Sequence, residues 1–394
     1  MVIKDVISGM KRSKNVLEII NLFGSATNFI GGQFSYLREH GYNMHLICSP
    51  DPGMEEFAKE QRIKCKGVAL NRQISVMQDL RAYFEVCKYI KHNKIDTIIA
   101  HQAKARLIAM LAGFTMRVPN RIIFAHGVLY ETMHGLKRKI FIFIDKIVAA
   151  MAHKVVCVSP SVMKVRLRDH INKPEKQCLL NKGTCGGIDT KVMFNPATYS
   201  IQDIYDMKCM LGIHNAEFVL GFCGRIVRDK GIVELIEGFK QLKSTYPDKN
   251  IKLLFIGEKE IRDAVPQDTI DIIENDHDIV FTGRVDRSQM PKYYLMMDAF
   301  ILPSYREGYP TVILEAMSMG VPCIVSRSTG CIDSIVENYN GIYTEISPES
   351  IMRQIVLLLD SEFRKKLAAN TRSYIVDNYD YSKVWPAVID VIEK

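Results

Sequence analysis

The amino-acid sequence predicts an α/β protein built from two doubly wound parallel sheets in tandem. Short apolar runs alternate with helical patterns along the chain, which is typical of parallel sheets covered by helices on both faces. The first set of strand candidates is VLEII at 16–20, MHLIC at 44–48, DTIIA at 96–100, RIIFA at 121–125 and KVVCV at 154–158. The pattern restarts after residue 200 with FVLGFC, IKLLFIG, DIVFTG, AFILP and PCIVS.

The segment from Gly183 to Tyr199 separates the two sets of strands. It contains glycines and a proline and shows no clear period, which predicts a linker. We therefore expect a first domain over 1–195, a second over 196–376, and a helix over 377–394 that packs back toward the first domain. Because open α/β sheets bind ligands beyond the carboxyl ends of their strands, two facing domains should bind ligands between them.

The composition is close to the average of globular domains. Of the 394 residues, 47% are hydrophobic and 24% are charged, which argues against a disordered chain. The net charge of +8 hides an asymmetry, since residues 1–200 hold 30 Lys and Arg against 15 Asp and Glu, and residues 201–394 hold 22 against 29. A basic first half favours phosphates, nucleic acid or an anionic membrane surface as partners. Nucleic acid is not expected, because aromatic and basic residues do not interleave as in stacking platforms.

Three further classes of protein are not expected. No apolar stretch reaches the ~20 residues of a membrane span. The first residues, MVIKDVISGMKRSKN, lack an apolar core before their basic cluster, so they do not resemble a secretory signal. The ten cysteines form no C-x-x-C pair, which indicates reduced cysteines rather than a zinc site.

The segment PSYREGYPTVILE (303–315) places two carboxylates around a predicted helix start. Pro310 lies near the first helical turn, where its missing N–H costs little, and the free N–H groups of a helix start attract anions. At ~1.5 Å per residue, Glu307 and Glu315 lie about 10 Å apart. That span suits the two ends of an elongated ligand and is too wide for the ~5 Å carboxylate pair of a retaining glycosidase. The alternative is a surface glutamate and a glutamate favoured by the helix dipole.

The segment GFCGRIVRDKG (221–231) places two cations after another strand. Arg225 offers a planar fork to phosphate oxygens and Lys230 offers a point charge. Both follow the carboxyl end of a strand, where a diphosphate would lie. The alternative is a solvated basic loop, but the carboxylates predicted at the same sheet edge need cations beside them.

These motifs carry a resemblance to a known family. The pattern G-R-x-x-x-x-K-G followed by E-G-Y-P-x-x-x-x-E resembles the retaining nucleotide-sugar glycosyltransferases of the GT-B fold, family 4, the glycosyl transferases group 1. The segments ILEAMSMGVPCIVS (313–326), FAHG (124–127) and AHKVVCVSPSV (152–162) fit the same family. The resemblance covers nearly the whole chain and is nearest to the branch that builds bacterial capsule, O-antigen or lipid-linked glycans. It implies two Rossmann-like domains that face each other across a cleft.

The resemblance assigns roles to the charged residues of the second domain. Arg225 and Lys230 would hold the donor diphosphate and stabilise the leaving group. Glu307 would contact hydroxyls of the transferred sugar, and Glu315 would hold the ribose hydroxyls. No carboxylate nucleophile can be placed, so we expect displacement on one face of the sugar, in which the departing phosphate helps to take the acceptor proton.

The resemblance also implies backbone contacts to the donor. Gly308 and Tyr309 would present N–H groups near the sugar. Pro310 stands where many relatives have glycine. The backbone around Arg284 and Val285 would pair with the nucleobase edge.

In the first domain, the resemblance points to the loops that follow the strands. His126 would reach the sugar or the phosphates across the cleft. Gly31 and Gly32 would open the first helix and let donor or acceptor approach its N-terminus. His101 and Lys104 follow the strand DTIIA and are candidates for acceptor contact, the alternative being a helix-capping loop.

Two other segments have a structural interpretation. Asp276-His277-Asp278 resembles metal-binding strings of other glycosyltransferases, but it precedes a strand and is expected at the amino end of the sheet. No metal and no other cofactor is therefore expected. The segment Leu136–His153 has a basic start and an apolar middle; a core helix of the first domain is expected, and a membrane-surface helix is the alternative.

The resemblance thus implies a retaining, metal-independent glycosyltransferase. It also implies a UDP-sugar as donor and a lipid-linked or growing glycan of the cell surface as acceptor. The basic first half is expected to touch an anionic membrane, which would place the chain in the cytoplasm at the inner face of the plasma membrane. The alternatives are a GT-B enzyme of other chemistry, such as a phosphorylase or epimerase, and a non-enzymatic nucleotide-binding protein.

Overall fold

The structure is a computed structural model that describes residues 14–70, 75–214, 217–261 and 263–393. Within these ranges the chain forms two parallel sheets, of seven and six strands. The strands of the first sheet are β1 Asn15–Ile19, β2 Asn43–Cys48, β3 Lys64–Gly67, β4 Thr97–Ala100, β5 Asn120–Ala125, β6 Lys154–Cys157 and β7 Gln177–Leu179. Those of the second are β8 Phe218–Cys223, β9 Ile251–Ile256, β10 Ile279–Gly283, β11 Ala299–Leu302, β12 Cys323–Ser326 and β13 Gly341–Thr344.

Helices connect the strands and cover both sheets. The first domain contains α1 Phe23–Glu39, α2 Met54–Gln61, α3 Val76–Asn93, α4 Ala103–Thr115, α5 Gly135–Met151 and α6 Pro160–Arg168. They are followed by α7 Ile201–Met210, α8 Ile232–Thr245, α9 Gln267–Asn275, α10 Met290–Leu295, α11 Thr311–Ser318, α12 Pro348–Leu359, α13 Ser361–Tyr379 and α14 Tyr381–Glu393. Nowhere in the described ranges does a helix combine the length and the apolar character that a membrane span requires.

The strand orders are those of doubly wound sheets. The first sheet runs β3-β2-β1-β4-β5-β6-β7 and the second β10-β9-β8-β11-β12-β13. The order therefore reverses between β1 and β4 and again between β8 and β11, and a crevice opens at each reversal beyond the carboxyl ends of the strands. The predicted fold class is confirmed.

Burial explains which strands the sequence revealed. The central strands β4 and β11 are buried along their whole length, so they read as continuous apolar runs. The short edge strand β3 has the sequence KCKG, and its two lysines are exposed. Sequence analysis missed β3 and β7 because a partly exposed edge strand needs no apolar run. It also missed β13, which is mostly buried but only four residues long and has the sequence GIYT.

Two chain segments cross side by side between the domains. The Ile188 N–H donates to the carbonyl of Tyr379 at 2.8 Å, and the Tyr381 N–H donates to the carbonyl of Ile188 at 3.2 Å. The Thr190 hydroxyl donates to a carboxylate oxygen of Asp380 at 2.5 Å. The connection between the domains is therefore double.

Helix α14 follows the second crossing and lies against the first domain. The Trp385 indole N–H donates to the carbonyl of Gly186 at 2.7 Å, and the Asn120 amide donates to the carbonyl of Ile392 at 3.0 Å. Four apolar side chains of α14 are buried in this contact layer, namely Val384, Val388, Val391 and Ile392.

Candidate active site

Lys230 and Glu307 meet at the carboxyl edge of the second sheet. Lys230 ends a short turn between β8 and α8, and Glu307 lies in the loop between β11 and α11. The Lys230 ammonium contacts a Glu307 carboxylate oxygen, and each side chain is about 15% exposed (14% and 16%). Gly231 permits this approach, because a Cβ there would lie 2.1 Å from the carbonyl oxygen of Pro303. The structure thus brings together two of the residues that the sequence singled out.

Arg225 lies in the same loop but has a different partner. Its Nη1 donates to Oε2 of Glu260 at 2.6 Å, and 49% of its side chain is exposed. Glu260 follows β9, and no sequence motif distinguished it. Arg225 is therefore held at the surface of this edge, whereas Lys230 is held inside it.

Glu315 is buried within α11 and is bound by two side chains of the second domain. Arg287 Nη2 donates to its Oε1 at 2.9 Å, and the Tyr294 hydroxyl donates to its Oε2 at 3.0 Å. Burial raises the pKa of Glu315, and the Arg287 charge and the Tyr294 hydrogen bond act against that rise. Arg287 also donates to the carbonyl of Asn28 in the first domain, so it bridges the cleft. Sequence analysis missed Arg287 and Tyr294, which belong to no recognised motif.

The loop before α11 touches the first domain through its backbone. A Cβ on Gly308 would lie 2.2 Å from the carbonyl oxygen of His126, so only glycine fits there. Tyr309 is buried, and its hydroxyl donates to the carbonyl of Asp333 at 3.0 Å and pairs with the Tyr379 hydroxyl at 2.6 Å. The ring of Tyr309 thus anchors the loop. Pro310 occupies the N-cap position of α11.

Further contacts join the two domains beside this loop. Ser161, in the first turn of α6, donates its backbone N–H to a carboxylate oxygen of Asp333 at 2.9 Å and accepts from the Gly330 N–H at 2.7 Å. The Thr329 hydroxyl donates to Oε1 of Glu131 at 2.6 Å. These pairs hold the cleft closed in this structure, and sequence analysis did not identify them.

His126 follows β5 and lies opposite Gly308, but His101 does not face the cleft. His101 is 1% exposed, and its two ring nitrogens lie 2.8 Å from His126 Nε2 and 2.7 Å from Glu18 Oε2. His101 is therefore enclosed behind His126 in this structure, and acceptor contact by His101 stays a prediction. Lys104 donates to Asp79 of α3 at 2.7 Å, and its contact with an acceptor likewise stays a prediction.

The prediction that Gly31 and Gly32 open the first helix is wrong. Helix α1 begins at Phe23, so both glycines lie in its third turn. A Cβ on Gly31 would lie at an ordinary contact distance of 3.7 Å from the ring of Phe57, whereas a Cβ on Gly32 would lie only 2.8 Å from the ring of Trp385. Gly32 therefore serves the close packing of α1 against α14.

Arg284 and Val285 follow β10, at the same edge as Glu315. The Arg284 side chain is 77% exposed, whereas Val285 packs against the core of the second domain. Arg284 borders a cavity of about 390 Å³ whose other walls are Leu22–Ser25, Asn28–Phe29 and Ser49–Asp51. This cavity lies between the two domains, beside the start of α1.

The acidic string Asp276-His277-Asp278 lies before β10, at the amino end of the second sheet. Asp278 is paired with Lys243 at 3.0 Å and with Lys252 at 3.2 Å. Two lysines therefore balance the charge that a cation would need, and the string is far from the edge that holds Lys230.

Comparison with known proteins is consistent with this arrangement. Residues 24–180 match the glycosyl transferase 4-like domain, and residues 208–374 match glycosyl transferases group 1. The chain is 27% identical to the capsular polysaccharide biosynthesis glycosyltransferase CapM of Staphylococcus aureus over 90% of both chains. It is 22% identical to the UDP-Gal:alpha-D-GlcNAc-diphosphoundecaprenol alpha-1,3-galactosyltransferase of Escherichia coli over 89% of both.

A solved structure shares the fold. HepE of Anabaena, crystallised with UDP and glucose, superposes with a TM-score of 0.77 at 16% identity, over 96% of this chain and 99% of that one. The two family matches cover most of both domains, and Lys230, Glu307 and Glu315 lie within the residues matched by glycosyl transferases group 1. The chain therefore belongs to the glycosyl transferases group 1, with a glycosyl transferase 4-like first domain.

Proposed function

We propose that this glycosyltransferase moves a sugar from a UDP-sugar to a lipid-linked or growing glycan acceptor in cell-surface polysaccharide synthesis. The names of two relatives support the proposal, since one is named for capsular polysaccharide biosynthesis and the other for transfer from UDP-Gal to a diphosphoundecaprenol-linked sugar. HepE, with the same fold, binds UDP and glucose. The observation that carries the proposal is the contact of Lys230 with Glu307 at the crevice of the second sheet.

We propose that the transfer retains the anomeric configuration, as in the retaining family that the sequence motifs resemble. The bond between the anomeric carbon and the donor phosphate oxygen breaks, and a bond to the acceptor oxygen forms on the same face. The acceptor proton passes to the departing phosphate, which leaves as part of UDP. Lys230, Arg225 and the N-terminus of α11 stabilise the negative charge that develops on the diphosphate, and the partial burial of Lys230 strengthens its effect. Glu307 binds hydroxyls of the sugar.

The same groups support a reaction without a metal ion. Where a metal would neutralise the diphosphate, this edge offers two cationic side chains and a helix start. We further propose that Glu315 holds the ribose, whose hydroxyls would replace one of its present partners, Arg287 or Tyr294. We expect EDTA to leave the transfer rate unchanged; a rate restored only by a divalent cation would contradict this part of the proposal.

The test uses Lys230→Ala and Arg225→Ala with a UDP-sugar and a lipid-linked acceptor. Loss of a charged contact to the leaving group should cost about 2–4 kcal/mol, which is a loss of roughly 30- to 1,000-fold in kcat/KM. Lys365→Ala is the matched control, because it removes an exposed lysine whose ion pair is with Glu362 on its own helix.

Product analysis separates the alternatives. Nuclear magnetic resonance of the product should show the anomeric configuration of the donor. Sugar release that requires added phosphate would indicate a phosphorylase. An isomerised donor would indicate an epimerase. Thermal stabilisation of the protein by UDP without turnover would indicate a nucleotide-binding protein. Near-normal kcat/KM in both alanine variants would contradict the assigned roles.

Contact with an anionic membrane is supported by helix α5. Its exposed apolar side chains are Leu136, Ile140, Phe143, Ile144 and Ile147. The basic residues of the same helix are Lys137, Arg138, Lys139 and Lys146. One face of α5 packs on the core of the first domain through the buried Val148 and Ala149 and the partly buried Phe141 and Ile142. The opposite, exposed face supports the alternative of an amphipathic helix at a membrane surface. The neighbouring α3 and α4 also expose apolar residues, namely Val76, Met77, Leu80, Phe84, Leu111 and Phe114.

Vesicle sedimentation tests the membrane contact. We expect binding to vesicles that contain phosphatidylglycerol, with a loss as salt rises, since each basic residue near the surface contributes about 1 kcal/mol. The double variant Ile140→Ser and Phe143→Ser should bind more weakly, while Ile201→Ser, which changes an 89% exposed residue of the second domain, should not. Equal binding by the wild type, the double variant and Ile201→Ser would contradict membrane contact through α5. It would not affect the catalytic proposal. A positive result would support a position at the inner face of the plasma membrane.

A further inference from the structure

Three side chains at the carboxyl edge of the first sheet form a continuous chain of hydrogen bonds, which we call the relay (Glu18, His101 and His126). Glu18 Oε2 on β1 lies 2.7 Å from His101 Nε2, and His101 Nδ1 lies 2.8 Å from His126 Nε2. Glu18 is 2% exposed and His101 is 1% exposed. The relay therefore runs from inside the sheet to the cleft, where the backbone of His126 meets Gly308.

Two neutral imidazoles and one carboxyl group permit two arrangements of protons in the relay. If Glu18 is protonated, it donates to His101 Nε2, and His101 Nδ1–H donates to His126 Nε2. The proton of His126 then resides on Nδ1, which is a donor. If Glu18 is ionised, both hydrogen bonds reverse and His126 Nδ1 becomes an acceptor. The protonation of Glu18 thus selects the tautomer of His126.

The surroundings favour the first arrangement at neutral pH. Burial raises the pKa of Glu18 to about 8. Burial and the charge of Arg106 lower the pKa of His101 to about 3, and burial, His101 and Arg106 place the pKa of His126 well below its ordinary value. The other titratable group that acts near Glu18 is Cys185, whose pKa burial raises to about 12, so it remains a neutral thiol.

We propose that Glu18 and His101 are positioning residues that hold His126 as a hydrogen-bond donor toward a sugar or phosphate oxygen in the cleft. No side chain or backbone group of the described residues is bonded to His126 Nδ1 in the structure, so this nitrogen is available to a substrate. The proposal rests on the proposed function for the identity of that substrate. It does not require Glu18 or His101 to touch the substrate.

The pH profile of kcat/KM tests the relay. In the wild type it should be level between pH 6 and 7 and fall as the pH passes through about 8. Glu18→Gln can still donate to His101 but cannot ionise, so it should keep the activity at pH 7 and lose this alkaline fall. Glu18→Leu leaves His101 Nε2 without a partner and should lose about tenfold or more at pH 7. An alkaline fall in Glu18→Gln that matches the wild type, or full activity of Glu18→Leu, would overturn the proposal.

The ¹⁵N shifts of the histidine rings give a readout that does not depend on turnover. At pH 7 the wild type and Glu18→Gln should carry the His126 proton on Nδ1, and Glu18→Leu should lose this preference. His45→Phe is the control, because His45 is also buried and bonded, to Tyr89 at 2.9 Å, but lies outside the relay. A proton on Nε2 of His126 at pH 7 would overturn the relay. Since this result needs no substrate, failure of the relay and failure of the proposed function are distinguishable.

Discussion

Replacement of Glu18 by glutamine should change how the folding stability of this protein depends on pH. Burial raises the pKa of the Glu18 carboxyl from 4.5 to about 8. Between these values the folded chain keeps a proton that the unfolded chain has released, so stability falls as the pH rises. The histidines act in the opposite sense, because the pKa of His101 is lowered from 6.5 to about 3 and its neutral form is fully favoured only above pH 6.5.

The magnitude follows from the difference in proton binding between pH 6.5 and 8.5. Across this range the unfolded state keeps Glu18 ionised, while the folded state changes from protonated to mostly ionised. The number of extra protons that the folded state binds at Glu18, integrated over this pH interval, is roughly 1.4 pH units. At ~1.36 kcal/mol per unit, this corresponds to about 2 kcal/mol of unfolding free energy. The free energy of unfolding of the wild type should therefore fall by about 2 kcal/mol more than that of Glu18→Gln. Titrations of the histidines and of surface groups are common to both proteins and cancel.

Urea unfolding followed by circular dichroism at pH 6.5 and pH 8.5 measures this difference. Glu362→Gln, at a glutamate side chain that is 82% exposed, gives the baseline for the same chemical exchange. If the wild type and Glu18→Gln lose stability in parallel, to within about 0.5 kcal/mol, Glu18 is already ionised in the folded protein at pH 6.5 and the argument from burial fails.

Three further substitutions have defined outcomes. Gly308→Ala places a Cβ 2.2 Å from the carbonyl oxygen of His126, so the two domains cannot approach each other as they do in this structure. We expect kcat/KM to fall at least tenfold while thermal stability changes little. Unchanged kinetics would contradict the importance of this contact. Gly32→Ala pushes on the ring of Trp385 and should lower stability by about 1–3 kcal/mol in denaturant unfolding; a stabilised variant would contradict this packing. Glu315→Gln should weaken UDP binding by about tenfold or more, as measured by calorimetry. Unaltered affinity would contradict a role of Glu315 in nucleotide binding.

The fold could be predicted because its central strands are buried on both faces. Continuous apolar runs placed β4 and β11 within a residue of their observed limits. The rule that ligands bind at strand ends then placed Lys230 and Glu307 at one edge, where the structure has them in contact. These results depend on local patterns and on topology, both of which a single sequence carries.

The start of α1 could have been read correctly from the periodicity. Ala26, Ile30, Phe34 and Leu37 are buried at spacings of four, four and three residues, so the apolar face of the helix continues upstream of the two glycines. The resemblance to the family instead placed the helix start at Gly31 and Gly32, which is two turns too late.

The partners of the site residues could not be predicted. Arg225 pairs with Glu260, and Arg287 pairs with Glu315 and reaches Asn28 in the other domain. Such pairs join loops that are distant in sequence, and many combinations of charge would be equally compatible with the fold. The position of His101 follows from three-dimensional burial behind His126 rather than from its place after a strand.

The double crossing between the domains has a consequence for synthesis. Helix α14 belongs by its contacts to the first domain, so the second domain is inserted between two parts of the first. During translation the second domain can assemble as soon as α13 has left the ribosome. The first domain must wait for the 13 residues of α14, and until then the face of α1 that receives Trp385 lacks its cover.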